Sequence, residues 1–254
     1  MSFQSRIGWP KLTFYKIGPV APTAAVFFDV DFTLILPGPR FQASGYEASC
    51  ARHGIRVDPS RFEAAVAGAA GALDSADRLY DPALFVAYTR RIIELMGGAG
   101  PAVEAVAREI YDDWAEHHHF SLYDDVADTL RALSRRGVRL GLISNSHRPL
   151  ESFQSHFELD GLISVTVSSS DHGYMKPHPA IFRAALDLMQ VPASEAAMVG
   201  DSLAHDVAGA REVGMRGILL ARGPVRDPAA LHAGVEVIHS LSELVSLVSR
   251  DRPS

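Results

Sequence analysis

The feature that most restricts what this chain can fold into is the segment Ala24-Ala25-Val26-Phe27-Phe28-Asp29-Val30-Asp31-Phe32-Thr33-Leu34. An unbroken apolar run that ends in two carboxylates reads as a strand buried on both faces, the kind found inside a parallel sheet. Side chains two apart on a strand share a face, so Asp29 and Asp31 are expected to project together from its carboxyl end. In open α/β sheets that edge is where ligands bind. Two like charges held together ask for a cation or a shared proton. Bound Mg²⁺, which prefers hard oxygen ligands, is the simplest supply. The plainer alternative is an acidic turn that merely ends a strand.

The rest of the chain falls into two textures. From Phe41 to about His118 it is rich in Ala, Glu and Arg, and its apolar positions recur at helical spacing. Helices are expected near 41–53, 59–72, 82–97 and 101–117. Pro59, Pro82 and Pro101 suit first-turn positions, Asp58 and Asp81 suit N-caps, and Gly54 and Gly97 suit helix ends. Strand-helix alternation then resumes. Strands are expected at 137–143, 162–167, 196–199, 217–220 and 235–238. Helices are expected at 124–136, 148–156, 178–190, 205–213 and from 241. This is the pattern of an α/β, Rossmann-like, doubly wound parallel sheet with a small four-helix cap. The expected division is an extension at 1–22, a core from 23–36 and 119–254, and a helical cap at 37–118. Trp9, Phe14 and Tyr15 in the extension are available for surface or partner packing. The Ile35-Leu36-Pro37-Gly38-Pro39 stretch reads as a hinge or turn, not a helix.

Composition narrows the function. With 254 residues and 47% apolar content the chain can bury a substantial core. A net charge of −6 argues against a nucleic-acid partner. The single cysteine, Cys50, excludes an internal disulfide and fits a reducing, cytoplasmic setting. No window approaches the roughly 18 apolar residues of a membrane span, and no signal peptide is read at the start.

Three further strand ends join Asp29 at the same edge if the sheet is parallel. They are Ser144-Asn145-Ser146, Lys176-Pro177, and Gly200-Asp201-Ser202 running to Asp206. Lys176 stands out because the chain has three lysines, and the other two, Lys11 and Lys16, lie in the extension. An ordinary surface lysine is the alternative.

Asp29-Val30-Asp31-Phe32-Thr33-Leu34, Ser144, Lys176-Pro177 and Gly200-Asp201 with Asp206 resemble, in that order, the four motifs of the haloacid dehalogenase superfamily, over about residues 24 to 245. The helical insert after the first strand resembles that superfamily's cap. The resemblance implies that Asp29 is the nucleophile and Asp31 the general acid and base. It implies that Asp29, Asp31 (through its backbone carbonyl) and Asp201 hold Mg²⁺. Ser144 and Asn145 would bind the equatorial oxygens of a phosphoryl group, Lys176 would add fixed charge, and Asp206 and Ser202 would support from behind. Thr33, Phe32 and His147 join Asn145 as candidate substrate contacts. The implied activity is hydrolysis of a small phosphate ester through an aspartyl-phosphate. A dehalogenase-type hydrolase, a phosphomutase, and a silent binding protein of the same fold are the alternatives. Asp31 favours phosphate, since dehalogenase members lack an acid there. The phosphonatase branch's cap lysine has no counterpart in residues 36 to 119.

One departure stands at Phe32, where the family's usual residue is glycine. Phenylalanine disfavours a left-handed backbone, and its ring is expected to narrow the pocket or pack under the hinge. Among other residues, His147 and Arg148 either touch substrate or open the next helix. His172 and His205 are weaker candidates of the same kind. His117-His118-His119 reads as a solvated helix end. Arg40, Tyr46 and Arg52 could reach a leaving group from the cap. Phe62, Phe85, Tyr88 and Met96 read as cap core. Substrate identity and oligomeric state are not legible.

Overall fold

The computed structural model describes residues 22–73, 78–223 and 234–250; most of the expected extension, with Trp9, Phe14 and Tyr15, lies outside them. Strand β1, Ala25–Phe28, is completely buried. Its alternate residues face two different apolar clusters. Val26 and Phe28 join one and Ala25 and Phe27 the other, which is why the run tolerates no polar residue. Burying each such Phe contributes about 1.5–3 kcal/mol. β1 lies at the centre of a six-stranded sheet of order β5-β4-β1-β6-β7-β8, in which every pairing is parallel. Its partners are β4 (Arg139–Ser144), β5 (Ile163–Ser168), β6 (Ala196–Gly200), β7 (Arg216–Leu220) and β8 (Glu236–Ile238).

Helices cover both faces. On α5, Val126–Arg135, the buried residues Val126, Thr129, Leu130 and Leu133 follow the i, i+3, i+4, i+7 spacing of one helix face. That face packs with the first cluster, beside a last helix over Ser242–Arg250. On the opposite face the helix Pro179–Met189 buries Ile181, Phe182, Ala185, Leu186 and Met189.

The helical block consists of α1 (Ala43–Arg52), α2 (Phe62–Ala69), α3 (Pro82–Leu95) and α4 (Val103–Asp113). Asp58 and Asp81 cap as expected, accepting from the backbone N–H of Ser60 and Ala83. Gly54 and Gly97 take positive φ at helix ends. Met96 is fully buried, Phe62 and Tyr88 are partly so, and Phe85 lies in a ring stack with Tyr80 and Tyr111.

Several expectations about short elements fail. The stretch read as a hinge is a strand as far as Pro37: β2, Ile35–Pro37, pairs antiparallel with an unforeseen β3, Phe120–Leu122. Three residues are too few to show a period. The helix expected over 148–156 shrinks to Phe153–His156. A turn over Ser169–His172, capped by Ser168, went unforeseen. The helix expected over 205–213 starts earlier, as wide π-type turns over Leu203–Ala208, and continues as α-helix over Gly209–Glu212.

Candidate active site

The carboxyl ends of β1 and β6 lie side by side, and the loop that follows β5 brings Lys176 to them. Lys176 is only 4% exposed although it carries a charge. Its Nζ donates to Asp29 Oδ1 at 2.5 Å and to Asp206 Oδ1 at 2.7 Å. Two facing carboxylates hold the ammonium firmly protonated despite its burial. Thr33 Oγ1 donates to the other oxygen of Asp29 at 3.1 Å. Asp29 is itself buried, and loss of water raises its carboxyl above the usual range while Lys176 opposes the rise.

Asp201 completes the cluster. One carboxylate oxygen from each of Asp29, Asp201 and Asp206 lies within 4.8 Å of the others. Withdrawal from water, and the carboxylates of Asp29 and Asp206 facing it, push the Asp201 carboxyl well up. The Asp201 side chain nonetheless reaches solvent. Crowded carboxylates with one open side, carrying one lysine's charge between them, are what a divalent cation with oxygen ligands fits. Gly200 makes the crowding feasible: a Cβ there would lie 2.2 Å from Asp206 Oδ2. The same oxygen accepts from Ser202 N at 3.0 Å, so Asp206 is held from two sides.

Asp31 goes elsewhere. The strand stops at Phe28, so the period-two argument that put Asp31 beside Asp29 lapses where the chain enters a turn over residues 32–34. Asp31 is absent from the acidic cluster, and its Oδ1 accepts from Arg148 Nη1 at 2.9 Å. The two carboxylates therefore have separate cationic partners.

The remaining candidates are placed as follows. Ser144 is fully buried at the end of β4 and donates to Ser146 Oγ at 3.0 Å. Asn145 ties two loops together: its Nδ2 donates to Lys176 O at 2.9 Å and its Oδ1 accepts from Lys176 N at 2.6 Å. Thr33 is fully buried and engaged with Asp29, so it serves the nucleophile candidate rather than an open pocket wall. Phe32 takes φ +62°, the left-handed conformation that its side chain disfavours, and is 46% exposed; it does not pack under a hinge. His147 stacks on Tyr111 of α4 at 4.0 Å between ring centres. Neither His147 nor Arg148 opens a helix, since the next one begins at Phe153. Ser202 caps the π-type turns, accepting from His205 N.

The helical-block candidates find their partners within the block. Arg40 pairs with Glu109 and Asp113, and Arg52 and His53 with Glu109, while Tyr46 is buried. His117 is no solvated helix end. It is buried, and its Nε2 bonds with Pro149 O and Ser152 Oγ. A cavity of about 700 Å³ adjoins the site, lined by Lys176 with Leu73, Arg78, His205 and Glu212 among others. Tyr111, Trp114 and the pairing of Arg148 with Asp31 are what sequence reasoning missed; these contacts join segments far apart in the chain, and no local spacing signals them.

Comparison with known proteins identifies the family. A sequence profile of the haloacid dehalogenase-like hydrolases matches residues 23–214. The haloacid dehalogenase-like hydrolase domain-containing protein 3 of Bos taurus is 35% identical over 128 residues, 50% of this chain and 51% of that protein. The match thus spans about half the length of that relative. The phosphoserine phosphatase of Thermus thermophilus is 33% identical over 149 residues, 56% of each chain. Among solved structures, a phosphatase from Thermococcus onnurineus superposes with a TM-score of 0.61 at 24% identity, covering 88% of this chain and 97% of that one; this likeness speaks to the fold. With the profile covering most of the chain and the motif residues gathered at one sheet edge, the chain belongs to the haloacid dehalogenase-like hydrolases.

Proposed function

We propose that this chain is a Mg²⁺-dependent phosphomonoesterase acting on a small phosphorylated metabolite through a phosphorylated Asp29. The observation that carries the reading is the Lys176 ammonium buried between Asp29 and Asp206, with Asp201 in the same cluster. Asp29, Asp201 and the Asp31 backbone carbonyl would hold the cation. When bound, it would neutralise the repulsion between a carboxylate and a phosphate dianion and polarise the phosphoryl group.

The chain's own residues supply the rest. Lys176 and Thr33 fix the Asp29 carboxylate for in-line attack on phosphorus. Asp31 gives its proton to the departing oxygen. It then takes a proton from the water that cleaves phosphorylated Asp29, so it ends protonated for the next cycle. On this reading the Ser144 hydroxyl, which now donates to Ser146 Oγ, turns with the Asn145 backbone N–H to the equatorial oxygens, where charge spreads in the transition state. The four helices act as a cap whose inner surface meets the leaving group and sets specificity. The similarity to a phosphoserine phosphatase supports a phosphate ester over a haloacid, as does the presence of Asp31.

Hydrolysis of p-nitrophenyl phosphate with and without EDTA tests the activity and its cation dependence. A panel of phosphorylated metabolites then tests the substrate class. Asp29→Asn should abolish turnover while the melting curve keeps its shape. Phosphatase activity retained by that variant would refute the assignment, and no activity from the wild type on any ester would favour the binding-protein alternative.

A further inference from the structure

Among the described residues, Arg148 is the largest side chain with no exposure at all. Its Nη1 donates to Asp31 Oδ1 at 2.9 Å, and its Nη2 donates to Trp114 O at 3.0 Å. The guanidinium lies over the Phe120 ring, 4.2 Å from its centre. Among the described residues Asp31 is its one acidic partner, and its Nε has no partner. Burying a guanidinium is unfavourable unless good geometry offsets it, and here what the burial secures is the fixed orientation of one carboxylate. Asp31 keeps some exposure, at 17% of its side chain, and its second oxygen has no hydrogen bond in the described structure. That oxygen is left for a substrate group to meet.

We infer that Arg148 is a positioning residue: it clamps Oδ1 of Asp31 so that the other oxygen is presented to the leaving group. This rests on the phosphatase reading above. The step it serves is balanced. The Asp29 carboxylate oxygen forms a bond to phosphorus as the ester P–O bond breaks, and the proton on Asp31 passes to the departing alkoxide. An alkoxide needs that proton; p-nitrophenolate leaves well without it. Trp114 closes α4 and Phe120 opens β3, so the clamp also ties the orientation of Asp31 to the segment that joins the helical block to the sheet.

The test is leaving-group dependence of kcat/KM, which reports the steps up to transfer of phosphorus to Asp29. Arg148→Met should lower kcat/KM for an alkyl phosphate by about tenfold to a hundredfold, a part of what general acid catalysis contributes, and lower it far less for p-nitrophenyl phosphate. On the aryl ester the variant should release a burst of nitrophenolate, because activation of water by Asp31 is slowed as well. In an Asp31→Asn background Arg148→Met should cost nothing further on the alkyl ester. Equal losses on both esters, or additive losses in the double variant, would overturn the inference and leave Arg148 a structural residue. If Arg148→Met fails to fold, Arg148→Lys, which keeps the charge but not the two-armed geometry, must show the same leaving-group pattern. Wild-type inactivity on both esters would instead bring down the phosphatase reading and this inference with it.

Discussion

Phe32 shows what single residues add to the motif. A left-handed backbone costs an L-residue about 1–2 kcal/mol, and Phe32 adopts one at φ +62° with its ring half out in water. Little apolar burial repays this. Phe32→Gly should therefore leave stability unchanged or raise it by up to about 1 kcal/mol, glycine's larger unfolded-state entropy offsetting part of the relief; urea melts will show it. Lys176 behaves in the opposite sense. Removing it strands Asp29 and Asp206 without a counter-charge, so Lys176→Met should destabilise the metal-free protein by about 3–5 kcal/mol at neutral pH, read from the same melts. Much at this scale was legible. Asp29, Lys176 and Asp201 declare themselves by standing at the ends of apolar runs or by rarity. The role of Arg148 does not, although its place beside the second motif does: its partner Asp31 is 117 positions away, and a pairing of that range leaves no local trace. The left-handed turn at Phe32 was hidden for a different reason, since the residue itself argues against it.

At the level of elements, legibility followed length. Strands of four to six buried residues and helices of eight or more showed their period, and the residues that cap them showed too. Asp81 accepts from Ala83 N at 2.9 Å ahead of Pro82. Asp81→Ala should cost about 1 kcal/mol and leave the acidic cluster untouched, measurable as a lower Tm with unchanged kcat if the activity is as proposed. The three-residue ribbon of β2 and β3 and the four-residue helix at Phe153–His156 were misread because tertiary contacts, not local pattern, set them. Around residues 148–152 a proline and a buried arginine override the helical spacing. The π-type turns over Leu203–Ala208 sit where Asp206 must approach Gly200, a feature invisible without the neighbouring strand.

On the scale of the whole molecule, acid should loosen the structure through His117. Its ring is buried with Nδ1 unpartnered. Burial, then Arg148 and His156, hold its pKa below the usual 6.5 against weaker opposing pulls from the Pro149 carbonyl and Glu116. Because the folded form resists the proton, the unfolded chain binds it first as the pH drops below about 6.5, and stability falls until the folded form also titrates. Wild type should thus lose more stability than His117→Gln between pH 7 and 5.5; parallel curves would count against this account. Fold class and sheet were legible because a parallel sheet imposes alternation on the entire chain. How the helical block meets the sheet was not.

The two share one apolar cluster, which runs from Val26 and Phe28 through Ile35 and Phe41 to Ile92 and Met96. A lid that swung wide would have to wet this common interior. Admission of a ligand is then better served by sliding than by flapping, through a slot that stays narrow. Such an entrance screens by girth before any polar group is consulted, so bulky esters and phosphoproteins should be turned away however well their phosphate would suit the carboxylates inside.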